Sequence, residues 1–149
     1  MTIATEGTKA PAFKGVNEKG ETVSLSDYKG KKLVLYFYPK DDTPGCTAEA
    51  CDLRDNYQQF LGKGYEILGV SPDSVKRHVK FIAKHKLPFS LLADEDHSIA
   101  ESYGVWGEKM MFGKKYMGIL RTTFVIGETG KIEKVIGKVD TKAHTKQLL

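Results

Sequence analysis

Residues 33–38, Leu-Val-Leu-Tyr-Phe-Tyr, form an unbroken apolar and aromatic run that Pro39 closes. A strand of that composition has no polar side to turn towards water, so it must be covered on both faces. A sheet with helices packed on each side supplies that cover. The neighbouring segments fit the same plan. Residues 66–70 and 89–93 read as two more covered strands. Between the strands, residues 47–61 place Ala50, Leu53, Tyr57, Phe60 and Leu61 at helical spacing, with Gly62 and Gly64 as stops. Ser71-Pro72-Asp73-Ser74 opens a second helix carrying Val75, Val79, Phe81 and Ile82, which ends before Pro88. A short helix is expected from Asp96 or Ser98 to Tyr103. Residues 122–126 and 131–136 flank Gly127-Glu128-Thr129-Gly130 as a hairpin, and the last ten residues read as helical.

Strands joined by a four-residue turn must run antiparallel, so the sheet is mixed. Residues 13–25 add two extended pieces around Glu18-Lys19-Gly20-Glu21. The expectation is an α/β, thioredoxin-like fold: a central mixed β-sheet flanked by helices, with an N-terminal hairpin extension. At 149 residues, a single domain spanning 1–149 can bury a full core. Its final amphipathic segment reaches Gln147-Leu148-Leu149, where one further turn is expected.

A net charge of +4 comes from lysines spread along the chain. That distribution reads as a solvated surface, so no nucleic-acid partner is expected. The apolar runs are too short for a membrane span, and MTIATEGTKAPAF has no apolar leader core. A cytoplasmic protein is the expectation. Two cysteines in a reducing compartment point to catalysis, metal binding or burial rather than a structural bridge.

Cys46 follows the covered strand at the start of the next helix, where ligands of such sheets bind. Free N–H groups and the helix dipole favour an anion there, which for a cysteine is the thiolate, its reactive form. Thr43 can hydrogen-bond the sulfur or a bound oxygen, and Pro39 and Pro44 stiffen the loop. Cys51 lies five residues on. On one regular helix the two Cα atoms would stand roughly 8–9 Å apart, whereas a disulfide needs about 4.4–6.8 Å. The pair could join only if the helix start unwinds. Other readings remain open. Cys51, beside Ala50 and Leu53, reads equally as a packed core thiol. The C-x4-C pair could hold half a metal site, with ligands from His78, His85, His97 or His144, although His78 and His85 read as surface residues.

Pro39, Thr43 and Cys46 stand as P-x3-T-x2-C, which resembles the active-site motif of the peroxiredoxins. The Cys-Thr-Ala-Glu-Ala-Cys segment is similar to the subgroup called bacterioferritin comigratory protein, or peroxiredoxin Q. So are Gly104 to Lys109, Gly113-Lys114 to Gly118-Ile119 and Arg121 to Ile126, and the likeness covers essentially the whole chain. It implies a thiol peroxidase acting on hydrogen peroxide and organic hydroperoxides, with no cofactor and no metal. Cys46 would attack the peroxide and Cys51 would resolve the sulfenic acid as an intramolecular disulfide, reduced by thioredoxin or a similar dithiol. Thr43 and Arg121 match the family's peroxide-holding positions, and Pro39 would shield the sulfur. A monomer is expected. Trp106 and Met110-Met111-Phe112 are expected as a loop on the rim of the site, most of their side chains packed inward. Glu49 and Arg54 fall on different helix faces and are not expected to pair.

Overall fold

The computed structural model describes residues 3–149. Its elements are β1 (Lys14–Asn17), β2 (Thr22–Ser24), β3 (Lys32–Phe37), α1 (Pro44–Asp55), α2 (Tyr57–Gly62), β4 (Tyr65–Ser71) and α3 (Val75–His85). They continue with β5 (Ser90–Ala93), α4 (Ser98–Ser102), β6 (Trp106–Met111), β7 (Lys114–Ile119), β8 (Thr122–Ile126), β9 (Ile132–Ile136) and α5 (His144–Leu148). Among the described residues, seven strands form one sheet in the order β2-β1-β5-β4-β3-β8-β9. β3, β4 and β5 run parallel, and the remaining pairings are antiparallel. The expected mixed sheet is present, and the N-terminal hairpin is its edge, joined through β1 to β5.

β3 accounts for the apolar run. Leu33, Leu35 and Phe37 enter one core with Leu68, Leu92, Tyr103 and Phe124. Val34 and Tyr36, followed by Tyr38, enter the opposite core with Leu53, Phe60, Ile67 and Phe81. Period-2 alternation therefore sends every side chain of the run into one of two cores.

Three boundaries differ from the sequence expectation. The first helix starts at Pro44, three residues early, because proline at the first helical position loses no hydrogen bond. It breaks at Asn56, whose side chain turns back to the Asp52 carbonyl (2.8 Å), so α1 and α2 are separate. The C-terminal helix is five residues rather than ten. The largest difference is at residues 106–119, which form a β-hairpin, β6–β7, instead of a packed loop. Phe112 and Gly113 both take positive φ, 52° and 77°, as a two-residue turn between twisted strands requires. Among the described residues the hairpin pairs with no other strand, and its tip is bare, with Phe112 97% exposed and Met110 66%.

Gly69, in the middle of β4, is overhung by the side chains of its cross-strand partners on β3 and β5. A Cβ there would lie 2.6 Å from Leu91 Cδ2 and 2.8 Å from Tyr36 Cζ. Both neighbours are buried, so neither can yield freely. Gly69→Ala should cost about 1–3 kcal/mol by overpacking. Urea unfolding would then show a lower midpoint at unchanged slope, and an unchanged midpoint would mean the sheet repacks without strain.

Candidate active site

The loop between β3 and α1 is locked by a buried polar network. The Tyr38 hydroxyl donates to Asp41 Oδ1 (2.5 Å), and the Asp41 N–H donates to Asp73 Oδ2 (2.8 Å). Asp73 also accepts from the Ser71 hydroxyl (2.6 Å) and from Arg77 Nε (2.7 Å). His78 lies with Nδ1 2.6 Å from Asp41 Oδ2 and Nε2 2.9 Å from the Leu92 carbonyl. This corrects the surface expectation for His78, which is fully buried. His78, Phe81, Ile82 and His85 share one face of α3 at i, i+3, i+4 and i+7, a pattern that could have found it. Asp41, Asp73 and His78 bring ligating atoms within 4.8 Å of one another, but their hydrogen bonds already engage those atoms. Neither cysteine belongs to that group.

Cys46 occupies the third position of α1. The first i→i−4 bond of the helix runs from the Thr47 N–H to the Thr43 carbonyl (2.8 Å). The Gly45 and Cys46 N–H groups therefore belong to the unpaired first turn. Thr43 is the residue before the helix, and its hydroxyl donates to the Lys40 carbonyl (2.8 Å) rather than to the helix. Its oxygen lone pairs remain available as acceptors. Pro39 follows Tyr38 and is half-buried. The Cys46 sulfur is more enclosed than an open thiol would be, at 1% exposure, in the core beside Tyr36 and Tyr38.

Arg121 comes to this sulfur from 75 positions away. β8 pairs antiparallel with β3 in a register that sets Thr122 opposite Phe37. The residue just before β8 is thereby brought to the end of β3 where α1 begins. Arg121 Nη2 donates to Cys46 Sγ (3.1 Å), and Nη1 donates to Glu49 Oε1 (2.6 Å). Gly45 allows the approach, since a Cβ on it would stand 3.3 Å from Arg121 Nη2.

Glu49 was not singled out as a site residue in the sequence. It sits one turn after Cys46 on the same helix face, and that i,i+3 spacing is the signal that could have found it. It does not meet Arg54, as expected; Arg54 pairs with Asp55 instead. Glu49 is fully buried, and its Oε2 has no hydrogen-bond partner among the described residues. His144 Nε2 lies 3.6 Å from it. Burial pushes the Glu49 carboxyl up to about 7, against the opposing pull of Arg121. His144, at the start of α5, is pushed the other way by burial, while the Gln147 side chain opposes.

Cys51 lies on α1 as well, so both cysteines share one continuous helix and both are free thiols. The helical spacing argument therefore applies without change. Cys51 is half-buried, with His85 Nδ1 3.9 Å from its sulfur. At the opposite rim, Lys109 of the hairpin donates to the Ile119 carbonyl (2.9 Å). Burial first, and then the field of Arg121, hold the Lys109 ammonium below its usual range, with Cys46 opposing. The base of the hairpin thus borders the site as expected, while its apolar tip points into solvent.

A cysteine at a helix start, held by an arginine that immediately precedes an adjacent antiparallel strand of a thioredoxin-like sheet, fits the class of thiol-dependent peroxidases. The AhpC/TSA family model matches residues 7–135, and the chain belongs to that family. Within it the chain is a peroxiredoxin of the Bcp, or peroxiredoxin Q, kind. It is 54% identical to Peroxiredoxin Bcp of Bacillus subtilis (strain 168) over 149 residues, all of this chain and 94% of the relative. To Peroxiredoxin Bcp of Escherichia coli (strain K12) it is 46% identical over 144 residues, 97% of this chain and 92% of the relative. Among solved structures, Xanthomonas campestris bacterioferritin comigratory protein superposes with a TM-score of 0.86 at 38% identity. That match covers 91% of this chain and 87% of the other, a protein studied for alkyl peroxide reduction. The resemblance read from the sequence holds, and the chain is a peroxidase oxidoreductase.

Glu49 makes folding depend on pH. Its carboxyl titrates near 7 in the folded chain against 4.5 ordinarily, so the native state holds this proton more tightly than the unfolded state. The resulting stabilisation is complete below the ordinary value and is lost as pH rises through the folded value. Relative to Glu49→Gln, the unmodified chain should lose on the order of 3 kcal/mol of stability between about pH 5 and pH 8. Denaturant unfolding of both proteins across that range checks this; a difference independent of pH would mean the carboxyl stays ionised when buried.

Proposed function

We propose that the chain reduces hydrogen peroxide and organic hydroperoxides through a cycle carried by Cys46 and Cys51 of one molecule. The observation that carries the reading is the Arg121 guanidinium 3.1 Å from the Cys46 sulfur. A fixed cation there favours the thiolate and the charge that builds on the peroxide in the transition state. The thiolate sulfur bonds to the terminal peroxide oxygen as the O–O bond breaks. That oxygen keeps its hydrogen as a sulfenic acid, and the departing hydroxide or alkoxide takes a proton from solvent. Arg121, Thr43 and the first-turn N–H groups of α1 seat the two oxygens, and Pro39 shields the sulfur from other reactions.

Cys51 then condenses with the sulfenic acid, releasing water and leaving a disulfide. In the helical state the two cysteines are too far apart for that bond, so the start of α1 unwinds in each cycle. A dithiol protein such as thioredoxin restores both thiols by exchange. The cycle needs one chain and a reducing compartment, which is why we assign it to a cytoplasmic monomer. The Xanthomonas protein's link to alkyl peroxides supports organic hydroperoxides as substrates here.

Cys46→Ser should abolish peroxide consumption with a dithiol donor, and Arg121→Lys should slow the first step about 100-fold by losing the second donor. Stopped-flow peroxide consumption measures both. Turnover by Cys46→Ser would refute the assignment. After one equivalent of peroxide, non-reducing mass spectrometry should find Cys46 joined to Cys51 within one chain.

A further inference from the structure

The two ends of α1 are held differently. At its start, Cys46 and Glu49 are tied to the rest of the molecule through Arg121. Half of that tie is the Arg121 contact with the Cys46 sulfur, and a cation holds a thiolate more strongly than it holds a neutral sulfenic acid. Beyond Cys51 the helix is anchored by bonds that oxidation leaves alone. Asp52 Oδ2 accepts from the Thr145 N–H (2.7 Å) and hydroxyl (2.8 Å) of α5. Arg54 Nη1 donates to the His85 carbonyl of α3 (2.8 Å), and Leu53 is buried in the core. On the two-cysteine reading, unwinding would begin at Cys46 and stop short of Cys51, so that Cys46 moves while Cys51 keeps its surroundings.

Those surroundings are a cysteine, a histidine and a carboxylate in line. His85 Nδ1 is 3.9 Å from Cys51 Sγ, and His85 Nε2 is 3.7 Å from Asp42 Oδ1. The Nε2 atom is buried and makes no hydrogen bond among the described residues. Asp42 is held in turn by Lys84 Nζ at 2.9 and 3.1 Å, and the His85 ring packs edge-on against Phe81. With its proton on Nε2, the nitrogen that faces the Asp42 carboxylate, the ring would turn the Nδ1 lone pair to the thiol. Nucleophile, base and orienting acid stand in the order that activates a weak nucleophile, and such contacts tighten in the reacting state.

We propose that His85, oriented by Asp42, is the general base for the second step of the cycle, taking the Cys51 proton as that sulfur attacks. The proposal rests on the two-cysteine reading above. The Cys51 S–H proton passes to His85 Nδ1, and the Cys51 sulfur bonds to the Cys46 sulfur as the S–O bond breaks. The leaving hydroxide takes the proton and departs as water. The Cys51 sulfur is oxidised and the sulfenic sulfur reduced, so the step needs no outside oxidant.

The test follows the full-length chain by rapid quench and intact-mass analysis after one equivalent of hydrogen peroxide, timing sulfenic acid and disulfide separately. In His85→Gln, sulfenic acid should form as fast as in the unmodified chain, and the disulfide about 100-fold more slowly. The lingering sulfenic acid should raise over-oxidation of Cys46 when peroxide is in excess. Asp42→Asn should slow the same step less, and added imidazole should restore disulfide formation to His85→Ala. Disulfide formation at the unmodified rate in His85→Gln would overturn the proposal. So would equal slowing of both steps with no rescue by imidazole, which marks a ring needed only for packing. Absence of a Cys46–Cys51 disulfide in the unmodified chain would instead sink the two-cysteine reading itself.

Discussion

The guanidinium of Arg121 lies between the Cys46 sulfur and the Glu49 carboxylate, and much of the surrounding structure serves to place it. The antiparallel β3–β8 pairing delivers it to the start of α1. Gly45 leaves room for it, and Glu49 fixes its second nitrogen. A charged fork with both nitrogens held by fixed partners is a preorganised group, which is what the proposed role towards a peroxide requires. The cost falls on Glu49, a carboxyl buried with one oxygen unsatisfied. Its raised titration point expresses that cost, and the Arg121 contact offsets it in part.

Around this contact the site divides into rigid and releasable parts. The loop of residues 39–43 is fixed through Asp41, which is hydrogen-bonded to Tyr38, Asp73 and His78, so the approach to the sulfur is a shaped surface. In the proposed cycle the start of α1 depends on the charge state of Cys46, whereas its second half is fastened to α3 and α5 through Arg54 and Asp52. One helix can therefore present an attacking sulfur and later yield it to a second sulfur. Local opening of this sort draws on the least anchored part of an element.

Much of the architecture was legible from periodicity. The run at residues 33–38 called for cover on both faces and received it in two cores. The hairpin at residues 106–119 was not legible, because its bare methionines and Phe112 look like core residues when exposure is unknown. Its turn at Phe112-Gly113 was the available clue. His78 was misjudged as a surface residue since lysines precede and follow it on α3; its burial depends on Asp41 and Leu92, which no local pattern connects to it.

The same division runs through the site. Pro39, Thr43 and Cys46 lie within eight residues, so their order along the chain already specifies a stiff turn leading into a helix start, and the two-cysteine spacing follows from helix geometry. Arg121 was named through family resemblance rather than through any spacing. Glu49, His144 and His85 owe their places to contacts across 72, 95 and 34 positions or to faces that only packing reveals. Sequence by itself determined that Cys46 stands at a helix start and that Cys51 shares its helix, because those placements arise within a few turns of chain. Tertiary structure decided what charges surround them, because a buried charge is set by neighbours that the sheet, not the sequence interval, brings within reach.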